Sequence, residues 1–354
     1  MIFFLAPAGE TWGMEEYLSQ HGGPLAERVR ILTYDDIVAQ RTLALGTYIF
    51  AAVDRLVPTE REIAEQCCQA LTRKDPHLQL LNRPHEVVRR YQLLQTCFER
   101  HRNAFRVRRA SELWSALKFP VFIRSETEHG GSLTPLLKNR WQLTHALAMA
   151  LLRGYRLRDL IVVEYCHTAD SSGIFRLHCA AIVGDTILPQ VLIHNRNWIT
   201  KWDGRLVDPD KAAEQRTFVE TNPHAAWLKE TFGLAKIRYG RIDYGLKDGL
   251  PQVWEINTNP MIVRRAASPS AMPVSQANLL APVRDNFLRR LQAALVSIDS
   301  EADSGESVRI DISPAQVSRL EVENRLRLRL RAHKTAISDG PKAVASVLRR
   351  LGVR

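Results

Sequence analysis

Residues 241–260 read RIDYGLKDGLPQVWEINTNP. Two short apolar runs flank Lys-Asp-Gly, the pattern of two antiparallel strands joined by a tight turn. Three residues sit badly in that reading. Asp243 lies on the first run, and Glu255 and Asn257 lie on the second. Asp and Asn are poor strand formers, and strands do not need carboxylates to pair. Glu255 and Asn257 are two residues apart and therefore share a face. Asp243 can join them across the hairpin, where cross-strand neighbours are about 5 Å apart. Three oxygen donors on one face suit Mg²⁺, which takes one or two carboxylates and completes its shell with phosphate oxygens. Trp254 and Ile256 alternate with the polar positions, which fits a solvated acidic face equally well. Taken alone, the stretch leaves both readings open.

Working outward, the first 85 residues alternate strand and helix. IFFLAPA (2–8), VRILTY (29–34), GTYIFAAVD (46–54) and LQLLN (78–82) are apolar runs of strand length, and TEREIAEQCCQALTR (59–73) has helical character. Alternation of this kind implies a parallel α/β sheet. No Gly-x-Gly-x-x-Gly follows the first strand, which argues against a dinucleotide site. An amphipathic helix is expected over 83–101, a strand over 119–126, a helix over 139–155 and a strand over 160–168. IFRLHCAAIVGDTILPQVLIH (174–194) reads as a hairpin turning at Gly184-Asp185. One long helix is expected around AAWLKETFG (225–233), and another over 275–297. Residues 299–312 read as a polar linker. Ser313-Pro314-Ala315-Gln316 forms a capping box at the head of a basic helix. RLRLRLR (325–331) fits a helix or an alternating strand, and PKAVASVLRRLG (341–352) reads as a last short helix.

The 354-residue chain is 45% hydrophobic and 25% charged, ordinary for a globular protein of two or three domains. It has no apolar run long enough to span a bilayer. The apolar start, MIFFLAPAGETW, lacks a basic leader and reads as a buried strand rather than a signal peptide. Five cysteines without a Cys-x-x-Cys pair indicate reduced thiols and a cytoplasmic protein. The net charge is +11; nine Lys/Arg against one Asp in residues 325–354 supply +8 of it, leaving +3 elsewhere. That balance argues against a nucleic-acid footprint over the whole protein and leaves a basic tail open to an anionic partner.

Other residues carry supporting signals. TEHGGSLTPLL (127–137) offers Gly130, Gly131 and Ser132 in a loop whose backbone N–H groups can face phosphate. Arg124 ends the preceding strand and Arg90 lies in the helix before it; either cation can neutralise phosphate. The strand LIVVEYCHT runs into Glu164, Tyr165 and Cys166, where an adenine can meet backbone groups. Arg176 and Lys201 follow as cations able to reach a γ-phosphate or an acyl phosphate. His167, His178 and His194 share no metal-ligand spacing, and no Gly-x-Ser-x-Gly is present.

In this order, ending in GRIDYG and EINTNP, the motifs resemble the ATP-grasp superfamily. The likeness is to D-alanine–D-alanine ligases, glutathione synthetases and ribosomal-protein glutamate ligases, over about residues 85–297. The resemblance implies an α/β (α+β) ATP-grasp fold with an N-terminal Rossmann-like α/β domain and a helical basic C-terminal tail. The implied domains are 1–85, a small lid subdomain at 86–165, a large subdomain with the metal site at 166–298, and a linker and tail at 299–354. It implies ATP and Mg²⁺ as cofactors, with Mn²⁺ as an alternative, and Asp243, Glu255 and Asn257 as metal ligands. Arg90, Arg124, Gly130, Gly131, Ser132, Glu164, Tyr165, Cys166 and Asp170 would bind nucleotide. Arg176, Lys201 and Arg241 would be catalytic. The implied activity is ADP-forming ligation of a small-molecule or peptide carboxylate to an amine through an acyl phosphate. A small-molecule kinase and a nucleotide-binding scaffold are the alternatives, and a homo-oligomer is left open.

Overall fold

The computed structural model describes residues 1–112, 117–202, 204–263, 272–300 and 305–339. The chain divides into two units. The first comprises Met1–Leu56, Glu60–Ala104 and Cys166–Asp311, and the second Val57–Thr59, Phe105–Tyr165 and Ile312–Arg354.

The first unit opens with β1 (Ile2–Ala6), α1 (Trp12–His21), β2 (Val29–Thr33), α2 (Tyr34–Gln40), β3 (Thr42–Ala44), β4 (Thr47–Phe50), α3 (Pro58–Lys74) and β5 (Leu80–Leu81). Strands β2-β1-β4-β5 form a parallel sheet. All five residues of β1 are buried, as a strand covered on both faces requires, so its sequence is continuously apolar rather than alternating. The four strands expected here are present. The next helix, α4 (Arg90–Glu99), is shorter than its sequence pattern. Residues 83–89 turn instead, with the Arg83 carbonyl accepting from the amides of Glu86 and Val87.

The second unit contributes β6 (Val107–Arg109), β7 (Val121–Ser125), α5 (Arg140–Leu152) and β8 (Leu160–Glu164). Its antiparallel sheet has the order β6-β8-β7. Leu143, Leu147 and Ala150 of α5 pack on Val121, Ile123, Leu160 and Val162.

The first unit resumes with β9 (Phe175–Val183), β10 (Thr186–Asn195), α6 (Pro209–Thr221), α7 (Ala225–Ala235), β11 (Tyr239–Lys247), β12 (Leu250–Asn257), α8 (Val274–Ser297) and β13 (Ser307–Arg309). Strands β10-β9-β11-β12 form an antiparallel sheet. Both expected hairpins form. Asp248 and Gly249 take φ of 51° and 78°, the left-handed pair that closes a two-residue hairpin with the right strand twist. The single helix expected near residue 225 is two helices. Asn222 caps α6 in the left-handed region at φ 45°, and Pro223 follows it, a pairing that ends helices. Part of the stretch read as a linker is ordered, because β13 pairs with β3.

In the second unit, α9 (Pro314–Asp339) starts on the expected capping box. The Ser313 amide donates to Gln316 Oε1 at 3.0 Å, and the Gln316 amide donates to Ser313 Oγ at 3.2 Å. RLRLRLR is helical. Leu320 is buried, while Leu326, Leu328 and Leu330 are exposed. The helix expected over 341–352 lies outside the described residues. No described helix is long and apolar enough to cross a membrane.

Candidate active site

The site is built on one face of the antiparallel sheet of the first unit. Alternation along β9 and β11 puts the pairs Val183–Tyr239, Ala181–Arg241 and Cys179–Asp243 on that face. At its closed end, Ala181, Val183 and Tyr239 are buried with Phe287, Leu291 and Leu295 of α8. Toward the other end Cys179, Val191 and Ile193 cluster with the half-buried Leu177.

Strand β12 completes the face, and here the hairpin departs from regular pairing. The turn sets Lys247 opposite Leu250 and Tyr244 opposite Val253, yet Asp243 pairs with Glu255 and Arg241 with Asn257. Trp254 is the extra residue of a β-bulge. Without it, Asp243 would face Trp254, and Glu255 and Asn257 would turn to the opposite side of the sheet. The bulge therefore shifts two oxygen donors onto the face of the third, a re-aiming role that bulges commonly serve. Gly245 makes room for it, since a Cβ there would meet the Trp254 ring at 2.9 Å.

The oxygens are tied to arginines. Asp243 accepts two hydrogen bonds from Arg241, Nε to Oδ1 at 2.8 Å and Nη2 to Oδ2 at 3.1 Å. Burial opposes the Arg241 charge, but Asp243 and the nearby Cys179 and Glu255 raise its pKa above the ordinary value. Glu255 Oε2 accepts from Arg90 Nη2 at 2.6 Å, with both side chains largely buried. Asn257 Oδ1 accepts the Asn259 amide at 2.8 Å. The following Thr258 bonds Asp54 Oδ1 and the Val53 amide, each at 3.0 Å, which anchors Asn-Thr-Asn-Pro to the loop after β4. Burial and then Asp243 push the Cys179 thiol well above its ordinary pKa, so it is a neutral neighbour of the carboxylate.

These donors fit a hard divalent cation. They are two carboxylates and an amide in cross-strand register, all oxygen, with no soft ligand beyond a protonated thiol. Among the described residues no group of three or more His, Cys, Asp or Glu is placed to hold a metal. Phosphate oxygens would have to complete the shell, as is usual for Mg²⁺.

The structure brings Asp243, Glu255, Asn257, Arg241 and Arg90 together. It does not bring Arg176 to them. Arg176 is three residues from Cys179 on the same strand and faces the other way. Its Nε donates to Glu214 Oε1 at 2.7 Å and its Nη1 to Asp170 Oδ2 at 2.5 Å. Glu214 also bonds His194 Nε2 at 2.8 Å. Asp170 accepts from Ser172 and the Ile174 amide as well. Bonds from Ser172, then Arg176 and Ile174, hold its carboxyl well below the ordinary range. Lys201 lies in the exposed segment after β10, its carbonyl 3.5 Å from Asn195 Nδ2.

The remaining candidates belong to the second unit, except Cys166 at the first unit's resumption. Arg124 is buried on β7. Ser132 Oγ donates to the Thr134 carbonyl at 2.6 Å, and the Leu133 amide to the Ile123 carbonyl at 2.8 Å, so the Gly-rich loop folds back along β7. Gly131 has φ 91°, and a Cβ on Gly130 would meet nothing within 4 Å. The Glu164 carboxylate accepts the amides of Arg106 at 3.1 Å and Lys118 at 2.9 Å, while the Tyr165 amide donates to the Pro120 carbonyl.

Sequence reasoning passed over Cys179 and Arg205. Cross-strand register alone reveals the first. The second has no motif; only the fold brings it toward Cys179.

No protein-family model matches the chain, and no curated protein matches it. Among solved structures it is similar to the D-alanine–D-alanine ligase of Bacillus anthracis complexed with ATP, at 12% identity and TM-score 0.43 over 83% of this chain and 99% of that one. It is similar to the L-amino acid ligase of Bacillus licheniformis, at 11% identity and TM-score 0.45 over 83% and 74%. A RimK-domain ATP-grasp protein of Sphaerobacter thermophilus gives 13% identity and TM-score 0.39 over 82% and 100%.

Proposed function

We propose that the protein is an ATP- and Mg²⁺-dependent ligase that joins a carboxylate to an amine and releases ADP. The observation that carries this reading is the register of the bulged hairpin, Asp243 opposite Glu255 and Arg241 opposite Asn257. Asp243, Glu255 and Asn257 would hold the metal, which when bound neutralises phosphate charge. Arg241 is a permanent cation on the same face, suited to an oxyanion that develops nearby. In the reaction the substrate carboxylate oxygen attacks the γ-phosphorus of ATP and ADP leaves. The amine nitrogen then attacks the acyl carbon, the acyl–phosphate bond breaks, and the amine gives up a proton. No enzyme nucleophile is needed; the protein positions groups and balances charge.

The test is ADP release across a panel of carboxylates and amines, with products identified by mass. Glu255→Gln keeps the side-chain shape and removes one charge. Its rate should fall by about 10²-fold or more, the scale of losing one charge-stabilising group. Full turnover in a natively folded Glu255→Gln protein would remove the site assignment. A phosphorylated product without a new amide would make the enzyme a kinase.

A further inference from the structure

Arg205 follows the turn at Gly204, in the segment after β10, where the Leu206 amide donates to the His194 carbonyl at 2.8 Å. Its Nη2 donates to Gln215 Oε1 at 3.3 Å, a long bond to a neutral acceptor. Its Nε is buried and meets no hydrogen-bond partner. Among the described residues no carboxylate pairs with it. The guanidinium lies over the Trp202 ring, 5.3 Å from the centroid. Burial lowers its pKa to about 10. The antiparallel bridge between His194 and Leu206 sets Arg205 on the sheet face opposite His194, the face of Cys179, which is the cross-strand partner of Asp243.

Three other arginines at this sheet are matched. Arg241 has Asp243, Arg90 has Glu255, and Arg176 has Asp170 and Glu214. A cation withdrawn from water without an anion is costly. Its planar fork is also the side chain best shaped for bidentate capture of an oxyanion. The same face carries the apolar cluster of Leu177, Cys179, Val191 and Ile193, which offers surface to a carbon chain. We propose that Arg205 binds a carboxylate that the acyl substrate carries in addition to the one that is activated, so that the substrate is a dicarboxylic acid or an acidic amino acid or peptide. The acyl substrate and its activated carboxylate rest on the ligase reading above; the anion site rests on the geometry of Arg205.

The test compares wild type, Arg205→Met and Arg205→Lys in thermal unfolding and in ADP release. Succinate and glutarate are the probes, butyrate and pentanoate the monoacid controls, and hydroxylamine the acceptor. Wild type should gain thermal stability from a dicarboxylate and not from its monoacid. Arg205→Met should lose that gain and raise the dicarboxylate KM by about 30-fold or more, the scale of a lost buried charge pair. Its kcat and its KM for ATP should stay within about threefold. Arg205→Lys should fall between. Ligand-free Arg205→Met should melt at or above wild type, because a half-buried charge without an anion has gone; a merely structural arginine would give the reverse.

A dicarboxylate shift that survives Arg205→Met overturns the proposal, as does the absence of any shift in wild type. Weakened ATP binding with intact dicarboxylate binding would overturn it too, and would assign Arg205 to phosphate. If no acid drives ADP release but the shift is present and lost in Arg205→Met, the ligase reading fails and the anion site stands. If Arg205→Met does not fold, the Lys variant decides by the same ratio of KM values.

Discussion

Asp243 and Tyr244 are consecutive in the chain and serve opposite faces of one sheet. The Asp243 face carries paired charges and a bulge. The Tyr244 face is closed by aromatic rings. His178 stacks on Tyr244 with centroids 5.0 Å apart and meets Phe218 edge-on at 5.1 Å, while His224 Nδ1 lies 2.9 Å from the Tyr244 hydroxyl. Helices α6 and α7 supply Phe218 and Trp227 to that cover, and His224 sits at the N-cap of α7. The difference teaches where polar residues in a strand are spent. Around Tyr244 the buried polar groups satisfy one another and stay neutral, and the ion pairs of that face, Arg176 with Asp170 and Glu214, are half-exposed. On the other face opposed charges are held in largely buried positions.

The sharpest way to break this contrast is to change the two neighbours separately. Asp243→Asn should lower ADP release by about 10²-fold or more. It should also cost up to about 3–5 kcal/mol in urea unfolding, because Arg241 is left buried without its carboxylate. Tyr244→Phe should cost about 1 kcal/mol of stability, one hydrogen bond, and leave turnover within about threefold. Equal losses of activity at both positions would show that the faces are not functionally distinct.

A second measurement reads the closed face by pH. Burial, then His224, His194 and Arg176, lowers the His178 pKa from 6.5 to about 3. Between those values the unfolded chain holds a proton that the folded chain refuses. The stability contributed by neutral His178 is therefore complete above pH 6.5 and is lost as pH falls toward 3. Within the window His178 contributes a slope of up to about 1.4 kcal/mol per pH unit. His178→Phe should remove that share of the slope between pH 6.5 and 4. His194 and His224, also lowered chiefly by burial, would leave a remainder. An unchanged slope would mean that His178 is charged in the fold.

The smallest effect is expected at Arg176. Arg176→Gln should change turnover by less than about threefold and stability by less than about 1 kcal/mol, as for other half-exposed ion pairs. A loss as large as that of Asp243→Asn would put Arg176 in the chemistry despite its facing away.

Much of this was legible in the sequence. The apolar runs, the Gly184 and Asp248-Gly249 turns and the Ser313 capping box are local signals, and each is realised locally. The oxygen donors are legible as residue types, but their common face is not. A two-residue turn after Lys247 puts Glu255 on the wrong side, and only a bulge reconciles the turn with the triad. That conflict of parity was there to be counted. Arg176 was read by its charge and chain position, whereas its three-residue offset from Cys179 decides its direction. Its partner Glu214 lies on α6, a helix the periodicity of the following segment concealed. Arg205 could not be read at all, because its isolation from any carboxylate is a property of the packed structure.

The bulge at Trp254 also governs which genetic accidents this protein survives. Strand β12 runs in two phases, one in step with its turn and one in step with Asp243. Substitutions along it alter one side chain at a time. Loss or gain of a single codon between the turn and Glu255 would instead invert every later side chain of the strand, exchanging Ile256 for the two oxygen donors. Paired insertions would restore the phase while moving the donors along the strand. Length variation in this hairpin should therefore be tolerated beyond Asn257 and within the Lys-Asp-Gly turn only in steps that preserve parity, so that the spacing from Asp243 to Glu255 is inherited as an even number of residues plus the one displaced by the bulge.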